Sequence, residues 1–317
     1  MKVCILGCAH MHVVSYIKSL LKLNVEIIGV YDKDLKKSEK MSKEFAIDLY
    51  TNVEKLLKVQ CDIALICSEN IYHKEYTVMA AEKKLHVIVE KPVATTMEDA
   101  DIMIKSCEKN NVELMICFPV RYSSPIVEAK KIIESNRLGK IQSIVATNHG
   151  QMPGGWFVEK KLSGGGSVID HTVHVADIVN WILQPKIKNL TAVISRQLHD
   201  IETDDSGLIL MKLEDDAIFS IDTSWNRPSG YPMWGDLVID FIGEKDSLRV
   251  DAFLESGIIY GGANEKARSY AFGNDMDFEM LKDFIHTIES GGKSKVTGEH
   301  GKFALDIALK AYEFAEF

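Results

Sequence analysis

The sequence lacks any apolar run long enough to cross a membrane as a helix, and it lacks internal repeats and low-complexity tracts. The apolar run at residues 3–6 is cut short by Gly7, His10 and His12, which is typical of a buried strand and not of a signal peptide. We therefore expect a folded cytoplasmic protein without a membrane partner.

Cysteine is scarce, and none of the six thiols forms a CxxC pair. The chain of 317 residues is 46% hydrophobic, so it can build sizeable cores without disulfides. We expect reduced, mostly buried thiols. Basic residues are outnumbered by acidic ones, and the net charge of −9 argues against wide contact with nucleic acid or an anionic membrane.

The first 119 residues alternate short apolar runs with amphipathic stretches. The pattern predicts strands at residues 3–6, 27–30, 63–67, 86–89 and 114–117 and helices at residues 12–23, 35–45, 72–84 and 97–110. Strand–helix–strand repetition requires right-handed crossovers and gives a doubly wound parallel sheet of the Rossmann type in an α/β domain. Such sheets bind ligands beyond the carboxyl ends of their strands.

Residues 120–317 predict a second, α+β domain. Strands are predicted at residues 141–149, 190–198, 208–213, 217–225, 237–242 and 248–250, and helices at residues 127–133, 276–290 and 300–317. Turn signals at hairpin spacing indicate an open, mostly antiparallel sheet. One face would pack on helices, while the other would expose apolar residues.

The loop after the first predicted strand is a candidate phosphate site. It begins Gly7, Cys8, Ala9, His10, and Gly7 and Ala9 hold the first and third positions of the G-x-G-x-x-G dinucleotide fingerprint. His12 holds the last position, so only one of the three glycines is present. The first amides of the following helix still offer an anion site.

Polar residues follow the second and third predicted strands. Asp32 lies where a carboxylate would accept hydrogen bonds from adenosine ribose hydroxyls and repel a 2′-phosphate, which favours NAD over NADP. Alternatively, Asp32 and Asp34 cap the helix that begins near Leu35. Ser68 and Asn70 could bind the cofactor by hydrogen bonds or cap a helix.

Two cations follow later strands. Lys91 precedes Pro92, which restricts the lysine to extended backbone and directs its charge at the predicted crevice. Arg121 follows the fifth strand and could reach a substrate or cofactor, or form a salt bridge.

Three consecutive glycines at residues 164–166 precede a helical pattern. Because glycine lacks a Cβ, this loop could let the backbone approach a ligand closely. Asp170 and His174 are four residues apart and share one face of the predicted helix. This arrangement is typical of an acid/base pair, whereas the alternative is a glycine turn in which the two side chains merely pair.

Aromatic residues in two loops predict walls of a sugar pocket. Trp156 and Trp225 offer faces that suit sugar rings, and Arg227 offers donors for hydroxyl groups. A rigid contact between subunits is the alternative for the second loop.

Histidines are concentrated on the segments expected to line the pocket. We expect no metal cofactor, because no HExxH-like motif on one helix gathers them. The alternative ligand set for zinc or manganese is His10, His171 and His174. Otherwise His171 is expected to contact the substrate.

Three motifs, in the right order along the chain, resemble the glucose–fructose oxidoreductase / inositol dehydrogenase (Gfo/Idh/MocA) family. They are Glu90-Lys91-Pro92, the run at residues 68–73, and residues 164–166 followed by Asp170, His174 and Asp177. The resemblance implies an NAD-binding Rossmann domain over residues 1–119 and a substrate-binding and oligomerisation domain over residues 120–317. It adds His73 and Glu90 to the expected cofactor-binding residues.

The resemblance also implies hydride transfer between NAD and a secondary hydroxyl or ketone of a sugar, cyclitol or related polyol. His174, with an ordinary pKa of about 6.5, would act as base. Lys91 would stabilise the developing alkoxide, and Asp170 would orient His174 or hold a neighbouring hydroxyl of the substrate. Family members bury the open sheet face in a homo-oligomer, so we expect a homodimer or homotetramer.

Two alternatives remain open. The same residues would serve a redox-neutral enzyme that holds NAD tightly and cleaves glycosides through a keto intermediate. The fold would also serve a non-catalytic protein that senses NAD or sugars.

Overall fold

A five-stranded parallel sheet, in the order β2-β1-β3-β4-β5, forms the centre of the first of two compact units. In a computed structural model, the chain is described over residues 1–259 and 268–316. The first unit comprises Met1–Pro119, Lys161–Gly164 and Asp277–Leu305. Its strands are β1 (Lys2–Leu6), β2 (Glu26–Tyr31), β3 (Ile63–Ile66), β4 (His86–Val89) and β5 (Leu114–Ile116).

Helices connect these strands in the predicted alternating order. They are α1 (Val13–Lys22), α2 (Leu35–Phe45), α3 (Val53–Leu56), α4 (His73–Glu82) and α5 (Met97–Asn110). Side-chain caps fix where some of them begin, since Thr96 accepts a hydrogen bond from the Asp99 amide at the start of α5. Strands β3 and β5 are buried throughout, which accounts for their continuous apolar sequence.

The second unit comprises Val120–Lys160, Gly165–Met276 and Asp306–Phe317. The remaining strands are β6 (Ile141–Gly150), β7 (Ile187–Ser195), β8 (Ser206–Leu213), β9 (Ile218–Ser224), β10 (Gly235–Gly243), β11 (Ser247–Asp251), β12 (Ser256–Ile259), β13 (Arg268–Ala271) and β14 (Ala315–Glu316). The remaining helices of the chain are α6 (Ser124–Glu134), α7 (Lys160–Ser163), α8 (Ser167–Leu183), α9 (Met276–Glu289) and α10 (Gly298–Glu313). Except for one residue each, α7 and α9 belong to the first unit, and α10 is divided between the two units. Phe317, the end of the last predicted helix, lies outside the described residues.

The sheet of the second unit has seven strands in the order β11-β10-β6-β9-β8-β7-β14. It is mixed, because β6 pairs with β9 and β7 with β14 in parallel, while the other four pairings are antiparallel. The predicted mostly antiparallel sheet in an α/β chain is therefore confirmed.

One face of this sheet is covered and the other is not. Along β8, Ile209 and Met211 are buried, whereas Leu208 and Leu210 alternate with them and are 52% and 47% exposed. Because side chains alternate between the two faces of a strand, the exposed leucines lie on one open face. Val193 on β7 adds to it at 59% exposure.

Within the described residues, no helix combines the length and the apolar character needed to cross a membrane. All six cysteines are described and are free thiols, and five of them are buried.

Candidate functional site

The first unit has a crevice of the kind that binds nucleotides, at the point where the strand order reverses between β1 and β3. Gly7, at the end of β1, adopts φ +88, and a Cβ there would lie 2.5 Å from the Ser68 Cα. Only glycine therefore fits where the two loops meet. The His10 amide donates to the Cys67 carbonyl at 2.9 Å, which ties the fingerprint loop to the end of β3.

Asp32 lies at the carboxyl end of β2 and is only 3% exposed. Its carboxylate accepts hydrogen bonds from the Cys8 amide at 2.5 Å and the Asp34 amide at 2.7 Å. Burial raises the pKa of Asp32, although these two bonds oppose the shift. Asp34, and not Asp32, caps α2 by accepting from the Lys36 amide at 3.0 Å. The capping alternative is thus wrong for Asp32, which orients the fingerprint loop.

Three residues after β3 form internal supports of the crevice. Ser68 is buried and donates to the Glu69 carbonyl, and the side-chain amide of Asn70 donates to the Ser163 carbonyl at 2.8 Å. The ring nitrogens of His73 lie 2.9 Å from the Pro92 carbonyl oxygen and 3.4 Å from that of Ser68. His73 has no exposed surface, so it braces these loops and does not reach a ligand. Burial also lowers its pKa.

Glu90, at the end of β4, is fully buried between two imidazoles. Its Oε1 lies 2.9 Å from His12 Nδ1 and 3.5 Å from His10 Nδ1. Burial alone would raise the pKa of Glu90, but His10, His12 and Lys91 together hold it far below its usual range. In the sequence, His12 stood out only because it replaces the last glycine of the dinucleotide fingerprint. Its contact with a residue 78 positions away was not visible there.

Lys91 is 5% exposed, and its amide donates to Glu90 Oε2 at 3.0 Å. The Lys91–Pro92 peptide bond is cis. Lys91 thus directly follows the buried Glu90, at the carboxyl end of β4.

The three glycines before α8 make room for protein atoms. A Cβ on Gly165 would lie 2.2 Å from the Tyr312 hydroxyl, and one on Gly166 would lie 1.9 Å from the Asp204 carbonyl oxygen. Gly164 adopts φ +85 and packs on Thr95. The expectation that these glycines admit a ligand is therefore wrong, because protein atoms fill the space.

Asp204 caps the start of α8 and was not predicted. Its Oδ1 accepts from the Gly166 amide and its Oδ2 from the Val168 amide, each at 2.8 Å, and the Tyr312 hydroxyl donates to Oδ1 at 2.7 Å. The amides that open a helix have no partner within it, so this carboxylate fixes the position of the first turn of α8.

Asp170 on that helix is held by two neighbours. Trp225 Nε1 donates to Asp170 Oδ2 at 3.3 Å, and His171 Nε2 lies 3.4 Å from the same oxygen. His171 Nδ1 donates to the Asn148 carbonyl at 2.9 Å, which fixes the ring. Trp225 is completely buried, so the expectation that its face binds a sugar is wrong. His171 is 3% exposed and lies against Asp170, and its contact with the substrate stays a prediction.

His174 differs from the rest of its helix in exposure. From Ser167 to Val179, it is the one residue that is not buried. The helix therefore offers a single accessible imidazole, one turn after the fixed Asp170 carboxylate.

Other predicted contact residues are engaged within the protein. Trp156 stacks on Phe157 with 3.9 Å between ring centroids, and both are buried. Arg227 Nε donates to Asp236 Oδ2 at 2.7 Å. The sugar-binding roles of Trp156 and Arg227 stay predictions.

Arg121 forms a buried ion pair with Asp177. Its Nε donates to Asp177 Oδ2 at 2.9 Å, and its Nη2 donates to the second oxygen. Both side chains are almost completely enclosed, at 3% and 0% exposure. The observed ion pair matches the salt-bridge alternative, and the contact of Arg121 with a cofactor stays a prediction.

The metal ligands considered from the sequence, His10, His171 and His174, do not lie together as a group of three in the structure. Among the described residues, the group of three potential ligands lying close together is His10, His12 and Glu90. His171 and His174 do not belong to it.

Comparison with known proteins identifies the family. A model described as "Oxidoreductase family, NAD-binding Rossmann fold" matches residues 1–118, and one described as "GFO/IDH/MocA C-terminal domain" matches residues 126–249. The chain belongs to the Gfo/Idh/MocA family. Members are NAD-dependent oxidoreductases, so the first unit contains an NAD-binding domain and the protein is an enzyme of the dehydrogenase class.

Several Gfo/Idh/MocA relatives are dehydrogenases of sugars or cyclitols. The chain is 25% identical to a myo-inositol 2-dehydrogenase of Thermotoga maritima, covering 80% of this chain and 78% of the relative. It is 29% identical to a glucose-6-phosphate 3-dehydrogenase of Bacillus subtilis, covering 68% of this chain and 64% of the relative.

Solved structures share the fold. GenD2 from gentamicin A biosynthesis, in complex with NAD, superposes with a TM-score of 0.89 at 20% identity, covering 99% of this chain and 94% of that one. Levoglucosan dehydrogenase, in complex with NADH and levoglucosan, gives 0.84 at 19% identity, covering 99% and 97%.

Proposed function

We propose that this enzyme transfers a hydride between NAD and a secondary hydroxyl or ketone of a sugar, cyclitol or related polyol. The observation that carries the proposal is the accessible imidazole of His174, one helical turn after the Asp170 carboxylate that Trp225 and His171 contact. The inositol and glucose-6-phosphate dehydrogenases among its relatives support this substrate class.

The cofactor-binding assignment rests on the β1/β3 crevice. The first turn of α1 offers the donors that suit a pyrophosphate. The loop before it, Gly7, Cys8, Ala9 and His10, is held by protein contacts, because the amides of Gly7, Cys8 and His10 donate to Tyr31, Asp32 and Cys67. Asp32, at the end of β2, retains lone pairs beyond its two amide bonds and suits a ribose diol. This donor set fits NAD, and a carboxylate there disfavours the extra phosphate of NADP.

Each catalytic side chain has a distinct role in the proposal. Bound NAD supplies the hydride acceptor at its nicotinamide ring. His174 takes the proton of the substrate hydroxyl and returns it in the reverse reaction. Asp170 orients the acid/base group, and Lys91 stabilises the negative charge that develops on the substrate oxygen.

We also propose a division of labour and an assembly. Residues 1–119 would bind the cofactor, and residues 120–317 would bind the substrate and a second copy of the chain. The exposed face of the seven-stranded sheet, which carries Val193, Leu208 and Leu210, supports a self-complementary contact. Sedimentation of a Leu208→Lys, Leu210→Lys variant should shift a dimer or tetramer toward the monomer.

The function is tested with two substitutions and one matched control. His174→Gln and Lys91→Met should each abolish NADH formation across a panel of cyclitols and sugars while leaving NAD binding within about twofold of wild type. His286→Asn, on the exposed face of α9, should change neither.

Two results would oppose the proposal. Full turnover in His174→Gln would remove the assigned base. Consumption of a glycoside without any free NADH would favour the redox-neutral alternative.

A further inference from the structure

Two histidines of the loop between β1 and α1 lie close to the carboxylate of Glu90, which follows β4. His10 and Glu90 are 2% and 0% exposed, and His12 is 32% exposed, so the group is internal but reachable from one side. Their ligand atoms lie within 4.8 Å of one another. We propose that His10, His12 and Glu90 bind a divalent transition metal ion, with Zn²⁺ the best match.

The spacing of the ligand atoms supports this site. Glu90 Oε1 lies 2.9 Å from His12 Nδ1 and 3.5 Å from His10 Nδ1. Zinc bonds of about 2.0–2.1 Å in a tetrahedron place neighbouring ligands about 3.3 Å apart. The two distances from Glu90 are thus close to the spacing that a tetrahedral ion requires, and the His10 and His12 ligand atoms lie within 4.8 Å of each other. A water would take the fourth position.

The hydrogen bonds around His10, His12 and Glu90 indicate which of their atoms would face a metal ion. The Lys91 amide donates to Glu90 Oε2, which leaves Oε1 facing the imidazoles. The His12 amide lies 3.3 Å from His10 Nδ1 and donates to it, so a metal ion bound at that nitrogen would displace this hydrogen bond. Glu90 Oε1 lies against both imidazoles, and a shared cation would bind there.

The donor set also restricts the kind of ion. Two imidazoles and one carboxylate suit zinc and its first-row neighbours, whereas calcium and magnesium prefer sites built from oxygen. A metal here would clamp the β1–α1 loop to the end of β4, at the position where His12 replaces a fingerprint glycine. It would act on the architecture of the crevice, so it does not depend on the proposed reaction.

The test is titration calorimetry of the chelator-treated full-length protein with Zn²⁺. Wild type should bind one ion per chain, and saturation should raise the melting temperature. His12→Gly, which restores the fingerprint glycine, and Glu90→Gln should each weaken Zn²⁺ binding at least about tenfold. The control His286→Asn should bind like wild type, and Mg²⁺ or Ca²⁺ should not bind.

Substitution of Co²⁺ gives a readout that folding alone would not change. The visible spectrum of the Co²⁺ protein should show tetrahedral coordination in wild type and lose it in His12→Gly. Absence of Zn²⁺ binding by wild type would overturn the proposal. So would unchanged affinity in His12→Gly, or loss of affinity in His171→Asn instead. NAD affinity of His12→Gly, measured in parallel, keeps this result separate from the dehydrogenase assignment.

Discussion

The Asp204 carboxylate accepts a hydrogen bond from the Val168 amide at 2.8 Å and thereby joins the β7–β8 loop to the first turn of α8. The same carboxylate accepts from the Gly166 amide at 2.8 Å. Since α8 carries Asp170 and His174, this cap fixes the helix from which the proposed acid/base pair projects. Asp204 belongs to none of the sequence motifs, yet it fixes the helix that carries the motif residues Asp170 and His174.

Asp204→Ala should destabilise the protein by about 1–2 kcal/mol, because it removes the carboxylate that accepts from the Gly166 and Val168 amides. Chemical denaturation measures the loss, and hydrogen exchange should show faster exchange in the first turn of α8. Asp200→Ala, at an exposed position of the same loop, is the matched control and should be neutral. Equal stability of the two variants would show that the cap contributes nothing.

The Arg121–Asp177 pair should matter for folding more than for cofactor binding. Arg121→Met leaves a buried carboxylate without its partner and should cost about 3–5 kcal/mol in the free energy of unfolding. The double variant Arg121→Met, Asp177→Leu should recover much of that loss. If Arg121→Met instead weakens NAD binding at unchanged stability, the guanidinium serves the cofactor after all.

His73 should make stability depend on pH. Its pKa is lowered in the folded state, so the unfolded chain takes up a proton first as pH falls below about 6.5. The contribution of neutral His73 is thus present above that pH and is lost on acidification, at up to about 1.4 kcal/mol per pH unit. Denaturation is measured between pH 7 and pH 5.5. The free energy of unfolding should fall less steeply with decreasing pH in His73→Asn than in wild type. Parallel slopes would mean that His73 titrates alike in both states.

Asp32 should set the preference for NAD. Asp32→Asn removes the charge that accepts the ribose hydroxyls, so NAD affinity should fall by about 10- to 100-fold. Affinity for NADP should fall less, so the ratio of NAD affinity to NADP affinity should decrease. Asp34→Asn, at the α2 cap, should leave that ratio unchanged. The pKa of Asp32 is raised, so wild-type NAD affinity should also decline on acidification at a higher pH than an ordinary aspartate would give.

Local sequence patterns predicted most elements because they depend on nearby residues. The predicted helices at residues 35–45 and 97–110 coincide with α2 and α5, whose starts are marked by Asp34 and Thr96 caps. Strand β7 begins three residues before the predicted run, at Ile187. The parallel pairings of β6 with β9 and of β7 with β14 join distant segments, and no local pattern encodes them.

The sequence motifs predicted which residues belong to the candidate site, but they did not predict which other residues contact them. Motifs located Lys91, Asp170 and His174, but the neighbours that hold them lie far along the chain. Trp225 reaches back 55 residues to Asp170, and His12 contacts Glu90 across 78. Trp225 was misassigned for the same reason, since an aromatic loop residue looks alike in sequence whether it faces a ligand or an internal carboxylate.

The most direct test of the dehydrogenase assignment follows the hydrogen itself. The wild-type protein is incubated with NADH deuterated at both C4 positions and a panel of keto-cyclitols and keto-sugars, and products are weighed by mass spectrometry. The assignment predicts that at least one ketone becomes an alcohol one mass unit heavier than the product made with ordinary NADH, with the deuterium on the former carbonyl carbon. Tight NADH binding without deuterium transfer to any ketone would contradict it.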